Sequence, residues 1–146
     1  MEMIHSFLGS TVKKVNSRVM NSFNSRILKE IKAKQSHLCV GLDINPDNFD
    51  NPNLSIDDLK AHTNKVIDAT RDIAIAYKPN LAFFERWGSK GFQWLEETMQ
   101  YIGPEVITIG DAKRGDIGNT AKQYATSLFD HFGFDSVTLS PYLGFD

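Results

Sequence analysis

The stretch Val106-Ile107-Thr108-Ile109-Gly110-Asp111-Ala112-Lys113-Arg114-Gly115-Asp116-Ile117-Gly118-Asn119-Thr120 passes from a β-branched apolar run into two carboxylates, a lysine and an arginine within six residues. Residues two apart on a strand point to the same face, so Ile107, Ile109, Asp111 and Lys113 are expected to share one side. An apolar strand that turns charged at its C-terminal end is a poor way to build a core. It suits an active site at the mouth of a parallel sheet or barrel.

On an extended strand Asp111 and Lys113 lie roughly 6 to 7 Å apart at Cα, close enough for their side chains to meet. Gly115 and Gly118 free the backbone beyond them, so Asp116 can fold back toward the pair or reach a neighbouring subunit. An ammonium set among carboxylates is a candidate proton donor to a developing carbanion. Asp111 would also repel a substrate carboxylate, by about 4 kcal/mol at about 4 Å and an effective dielectric of about 20. Loss of carbon dioxide would relieve that repulsion, but stabilisation of the carbanion by Lys113 is the firmer effect. The bland alternative is a surface ion-pair network at a strand-to-helix turn. Company from other strands decides between them.

Leu38-Cys39-Val40-Gly41-Leu42-Asp43 is a short apolar run ending in an aspartate, and Ala74-Ile75-Ala76-Tyr77-Lys78-Pro79-Asn80 is another ending in a lysine. With Ser136-Val137-Thr138-Leu139-Ser140 as a fourth, the ends recur about every 30 residues, the length of a βα unit. The intervening segments read as helices. Ser55-Ile56-Asp57-Asp58 opens one with a capping pattern that runs to about Arg71. Ser89 to Tyr101 carries Phe92, Leu95 and Met99 at helical spacing before the stop Gly103-Pro104, and Asn119 to Phe132 carries Tyr124 and Leu128 before Gly133. The order β-α-β-α-β-α-β implies parallel strands with crossover helices. Asp43, Lys78 and Lys113 are then expected at one end of one sheet.

These residues resemble the orotidine 5'-monophosphate decarboxylase family from Leu38 onward. Asp111-Ala112-Lys113-Arg114-Gly115-Asp116 matches its Asp-x-Lys-x-x-Asp signature, Lys78 its second-strand lysine and Asp43 its first-strand aspartate. The wording Gly110 to Ile117 is most similar to the longer bacterial subgroup. The resemblance implies a (β/α)₈ TIM barrel and a cofactor-free, metal-free enzyme making uridine 5'-monophosphate from orotidine 5'-monophosphate. It implies that Lys113 protonates C6 of the pyrimidine, that Asp111 faces the departing carboxylate and that Lys78 completes the charge network. Asp43 would hold ribose hydroxyls, while Asp116 and Thr120 would complete the site of the other subunit in a homodimer. A magnesium-dependent sister group of sugar-phosphate enzymes shares the third-strand motif but places a glutamate where Lys78 stands. A lysine there repels a cation, which favours the nucleotide decarboxylase. A third reading is an assembly module in which the same charges merely hold a dimer together.

A complete barrel needs about 250 residues, and this chain has 146. The expectation is one partial domain over 1–146: an N-terminal helix at about 10–34 and the first four βα units at about 37–146. Alone it is expected to be inactive or very weak, lacking the loops that bind phosphate in such barrels.

Composition is ordinary, with 41% hydrophobic and 23% charged residues and a net charge of −2. No basic stripe suggests nucleic acid, and acids flank Lys113-Arg114 on both sides. No apolar run reaches the ~18 residues that suggest a membrane span. The single cysteine, Cys39, suits a reducing cytoplasm and is expected to pack as a small hydrophobe. Val12, Val15, Val19, Phe23, Ile27 and Ile31 recur at helical spacing. The serines and basic residues there also resemble a transit peptide, but the pattern continues unbroken into Lys29-Glu30-Ile31. A helix closing the bottom of the barrel fits better. His5, His37, His62 and His131 lack ligand spacing, and Trp87, Trp94, Phe83 and Phe84 are expected in packing rather than chemistry. Asn80 and Glu85, just past the second strand, are near enough to touch a substrate but receive no role.

Overall fold

The computed structural model describes residues 22–51 and 53–142. In chain order these form α1 (Phe23–Lys34), β1 (Leu38–Leu42), a 3₁₀ turn (Pro46–Asn48), α2 (Ile56–Thr70), β2 (Ala74–Pro79) and α3 (Leu81–Glu85). Then come α4 (Ser89–Ile102), β3 (Ile107–Arg114), α5 (Gly118–Ala125) with a π-helical continuation (Thr126–His131), and β4 (Ser136–Leu139). The four strands lie in the order β1-β2-β3-β4, each parallel to its neighbour. That is the path of a (β/α)₈ barrel through its first four units.

Local chemistry sets the element ends. Ser55 starts α2 by accepting the Asp58 N–H at 3.2 Å while Asp58 accepts the Ser55 N–H at 2.9 Å, the reciprocal pattern expected of that sequence. Gly103, at φ 89°, closes α4 in a conformation that a side chain would resist.

Helices and strands meet in three apolar clusters. Leu59, Phe84, Trp94 and Leu95 fill the first, with the Phe84 and Trp94 rings 4.4 Å apart. Leu42, Ile67, Tyr77 and Ile102 fill the second, where the Tyr77 hydroxyl donates to the Ile67 carbonyl at 2.9 Å. Tyr77 therefore points at α2, and strand alternation sends Lys78 to the opposite face of the sheet. The third cluster seats Phe23, Ile27 and Ile31 of α1 against Ile75, Ala76 and Ile107 near the N-terminal ends of β2 and β3. Lys34 binds the Arg71 and Ala74 carbonyls and Arg26 pairs with Asp135, also at that end. α1 thus covers the bottom of the sheet and leaves the carboxyl ends of the strands clear.

Register places those ends level. Gly41 lies opposite Lys78 and Leu42 opposite Pro79, and Asn80 bridges to Asp111. Asp43, Asn80 and Asp111 consequently form one row across the mouth.

Four details differ from the sequence reading. Cys39 is exposed rather than packed, because it lies two residues before Gly41, which pairs with Lys78, and so shares the face of the sheet turned away from α2. The helix expected over Asn119–Phe132 widens in its second half, where the Phe132 N–H reaches the Ser127 carbonyl. α3, too short for a periodic signal, is absent from that reading. Strand alternation fails at Lys113, as described below. Positions 10–21 of the expected N-terminal helix lie outside the described residues. No helix among the described residues is long and apolar enough to cross a membrane.

The corner between α3 and α4 is the tightest approach. A Cβ on Gly91 would stand 1.7 Å from the Phe84 carbonyl oxygen. We expect Gly91→Ala to force the two helices apart and destabilise the chain by about 1–3 kcal/mol, read as a lower urea midpoint at unchanged slope.

Candidate active site

Asp111 is the centre of the charged row and only 8% exposed. Its Oδ2 accepts from Lys78 Nζ at 2.6 Å, and its Oδ1 accepts from Lys113 Nζ at 2.5 Å and from the Thr138 hydroxyl at 2.8 Å. One carboxylate therefore lies between two ammonium groups. Beside it, Asn80 donates to Asp43 Oδ2 at 3.1 Å, while its own Oδ1 caps α3 at the Ala82 N–H. β1, β2, β3 and β4 each contribute one part of the row, at or just past their ends.

Burial alone would raise the Asp111 carboxyl. The hydrogen bonds from Lys113, Lys78 and Thr138 outweigh it and hold the group well below the usual carboxylate range. Burial likewise would lower the Lys78 ammonium, but its hydrogen bond to Asp111 and the charges of Asp111 and Asp43 raise it above its ordinary value. The two shifts agree: each partner keeps the other charged.

Lys113 reaches Asp111 by a route that strand alternation does not describe. Its φ is 49°, in the left-handed region, and the β3–β4 register slips between Gly110 and Arg114. Same-face geometry was the expected reason for their contact; the real reason is a bulge that turns Lys113 out while its side chain folds back. The Lys113 side chain stays 64% exposed, open to whatever occupies the mouth. Arg114 turns away to pair with Glu85, donates to the Ala112 carbonyl at 2.7 Å and lies over the Tyr124 ring.

The structure brings together Asp43, Lys78, Asp111 and Lys113 of the residues singled out in the sequence. Asp116 and Thr120 make no hydrogen bond or ion pair to them among the described residues. Asp116 accepts its neighbour Ile117's N–H at 2.8 Å, and Thr120 is exposed on α5. Thr138 escaped the sequence reading, although a hydroxyl near the end of an apolar strand run is a signal of the same kind as Lys78. Asn80 and Glu85 take the supporting contacts described above.

Parallel strands with alternating helices, and charged groups gathered at the carboxyl ends of the strands, place the chain in the class of (β/α)₈ barrels, whose functional groups sit at that face. Comparison with known proteins narrows this. Residues 36–146 match the model of the orotidine 5'-phosphate decarboxylase / HUMPS family, and the chain belongs to that family. An orotidine 5'-phosphate decarboxylase from Parabacteroides distasonis is 48% identical over 125 residues, 83% of this chain and 45% of the relative. One from Christiangramia forsetii is 46% identical, covering 84% of this chain and 47% of its own length. The structure of Leishmania donovani OMP decarboxylase superposes with a TM-score of 0.70 at 35% identity, over 84% of this chain and 45% of that one. The chain spans about half the length of the curated relatives it matches.

The charge states carry a pH signature. Asp111 contributes stability that is present above its unfolded value of 3.8 and lost as pH falls through its depressed folded value. Lys78 contributes stability present below its unfolded value of 10.5 and lost as pH rises through its raised one. From about pH 5 downward, wild-type stability should therefore fall more steeply than that of Asp111→Asn. Urea unfolding across that range is the measurement; parallel curves would show that Asp111 is not held in its charged form.

Proposed function

We propose that this chain carries the proton-donating half of an active site that converts orotidine 5'-monophosphate to uridine 5'-monophosphate in de novo pyrimidine biosynthesis. The single observation behind this reading is the chain of contacts Lys78–Asp111–Lys113 at the mouth of the parallel sheet. Breaking the bond between C6 and the carboxylate leaves its electron pair on C6 as carbon dioxide departs. Lys113, bound to Asp111 and otherwise open to solvent, then delivers a proton to that carbon, and a fixed ammonium also stabilises the carbanion as it forms. Asp111, kept ionised by its partners, stands where it would oppose the substrate carboxylate. Lys78 holds Asp111 from the far side.

The remaining roles follow from position. Asp43 takes ribose hydroxyls, with Asn80 fixing its orientation. Asp116 and Thr120 serve the site of a second protomer; neither bonds to the Asp111 cluster of its own chain, which supports that assignment. The active protein is thus a cytoplasmic homodimer with shared sites, working without cofactor or metal. Phosphate binding belongs to the part of the barrel that the relatives possess beyond this chain's span.

Turnover should survive a chelator, which separates this reading from a magnesium-dependent sugar-phosphate enzyme. Lys113→Ala in the full-length protein should lower turnover by about 10²–10⁴-fold while the dimer persists in sedimentation. Intact turnover with weakened dimers would instead favour the assembly reading. The 146-residue chain by itself should form no uridine 5'-monophosphate at an enzyme-like rate.

A further inference from the structure

β3 departs from its pairing with β4 beside the charged cluster. Gly110 lies opposite Val137 and Arg114 opposite Leu139, so Asp111, Ala112 and Lys113 together face the single residue Thr138. A bulge of this kind strips its backbone N–H groups of ladder partners. It also holds Lys113 at φ 49°, which a non-glycine adopts only when its surroundings impose it.

The Thr138 hydroxyl touches both halves of this arrangement. It accepts the Lys113 N–H at 3.1 Å and donates its one proton to Asp111 Oδ1 at 2.8 Å. The same Oδ1 receives Lys113 Nζ. A closed ring results: hydroxyl to carboxylate, carboxylate to ammonium, and the backbone of that lysine back to the hydroxyl. A hydroxyl has one donor, and the contact to Asp111 uses it. Thr138 therefore fixes two things at once, the rotation of the Asp111 carboxylate and the backbone from which Lys113 emerges.

We propose that Thr138 is a positioning residue for the reaction, setting Lys113 and Asp111 in register with the reacting carbon without touching substrate itself. The kinetic consequence rests on the decarboxylase reading above; the geometric one does not. A hydrophobic side chain of the same shape would fill the space yet leave the Lys113 N–H without its protein partner and remove one of the three bonds that hold Asp111.

The test compares Thr138→Val with Thr138→Ser in the full-length protein. Thr138→Val should lower kcat by about 10²-fold, with KM moving by less than about threefold, and Thr138→Ser should restore kcat. In the same samples, Thr138→Val should speed hydrogen exchange of the Lys113 amide by about tenfold or more and move the Asp111 carboxyl titration upward, with both returning in Thr138→Ser. A wild-type kcat in Thr138→Val, or an equal fall in both variants, would overturn the proposal. Should the wild type itself prove unable to decarboxylate the nucleotide, the functional reading fails. The amide and carboxyl signals then decide the geometric part alone: a response in Thr138→Val reversed in Thr138→Ser supports it, and no response overturns it. Thr138→Cys, close in volume but weaker in hydrogen bonding, carries the same comparison if Thr138→Val does not fold.

Discussion

A carboxylate removed from water must be hydrogen-bonded and charge-compensated, or it takes up a proton. Asp111 meets that condition with two ammonium groups and a hydroxyl drawn from three strands. Each partner in turn depends on a different part of the fold. Lys78 faces the mouth because Tyr77 is anchored to α2, Lys113 returns to Asp111 because β3 bulges, and Thr138 is at hand because β4 pairs in parallel on the far side. Slipping any strand by one residue would reverse its faces and break the cluster.

The architecture separates stability from chemistry. At the bottom, α1 seals the strand starts with Phe23, Ile27 and Ile31, and Arg26 and Lys34 tie it to the sheet. On the helix side, packing around Trp94 and Phe84 brings α3 and α4 so close that only glycine fits at position 91. The carboxyl ends carry the polar row of Asp43, Asn80, Asp111 and Thr138. Asn80 holds Asp43, and Lys78, Lys113 and Thr138 hold Asp111, which keeps the row ordered while the Lys113 side chain remains open at its edge.

Much of the fold was legible because parallel βα units leave periodic marks. The capping pair Ser55 and Asp58, the stop at Gly103 and the apolar runs at β1 to β4 are all short-range signals, and each corresponds to an observed boundary. α3 left no mark because five residues are too few for a helical period. The exposure of Cys39 was hidden because it depends on which face of β1 the helices cover, not on β1 itself. For the site, Asp43, Lys78, Asp111 and Lys113 were visible as charges ending apolar runs. Thr138, uncharged and β-branched, looks like any other strand residue until its partner across the sheet is known.

The sequence by itself determined the alternation of the four strands with their long helices, the parallel direction and the four charged residues at the mouth. These rest on local spacing, capping and turn chemistry, which act between near neighbours in the chain. Only the tertiary structure decided that Asp111 joins Lys78 to Lys113, that Asn80 orients Asp43, and that Thr138 closes the ring at the Lys113 bulge. Those outcomes depend on strand register and on a left-handed backbone at a single lysine. Both arise from packing between segments far apart in sequence, and hydrogen bonds across that distance become definite only once the sheet has formed.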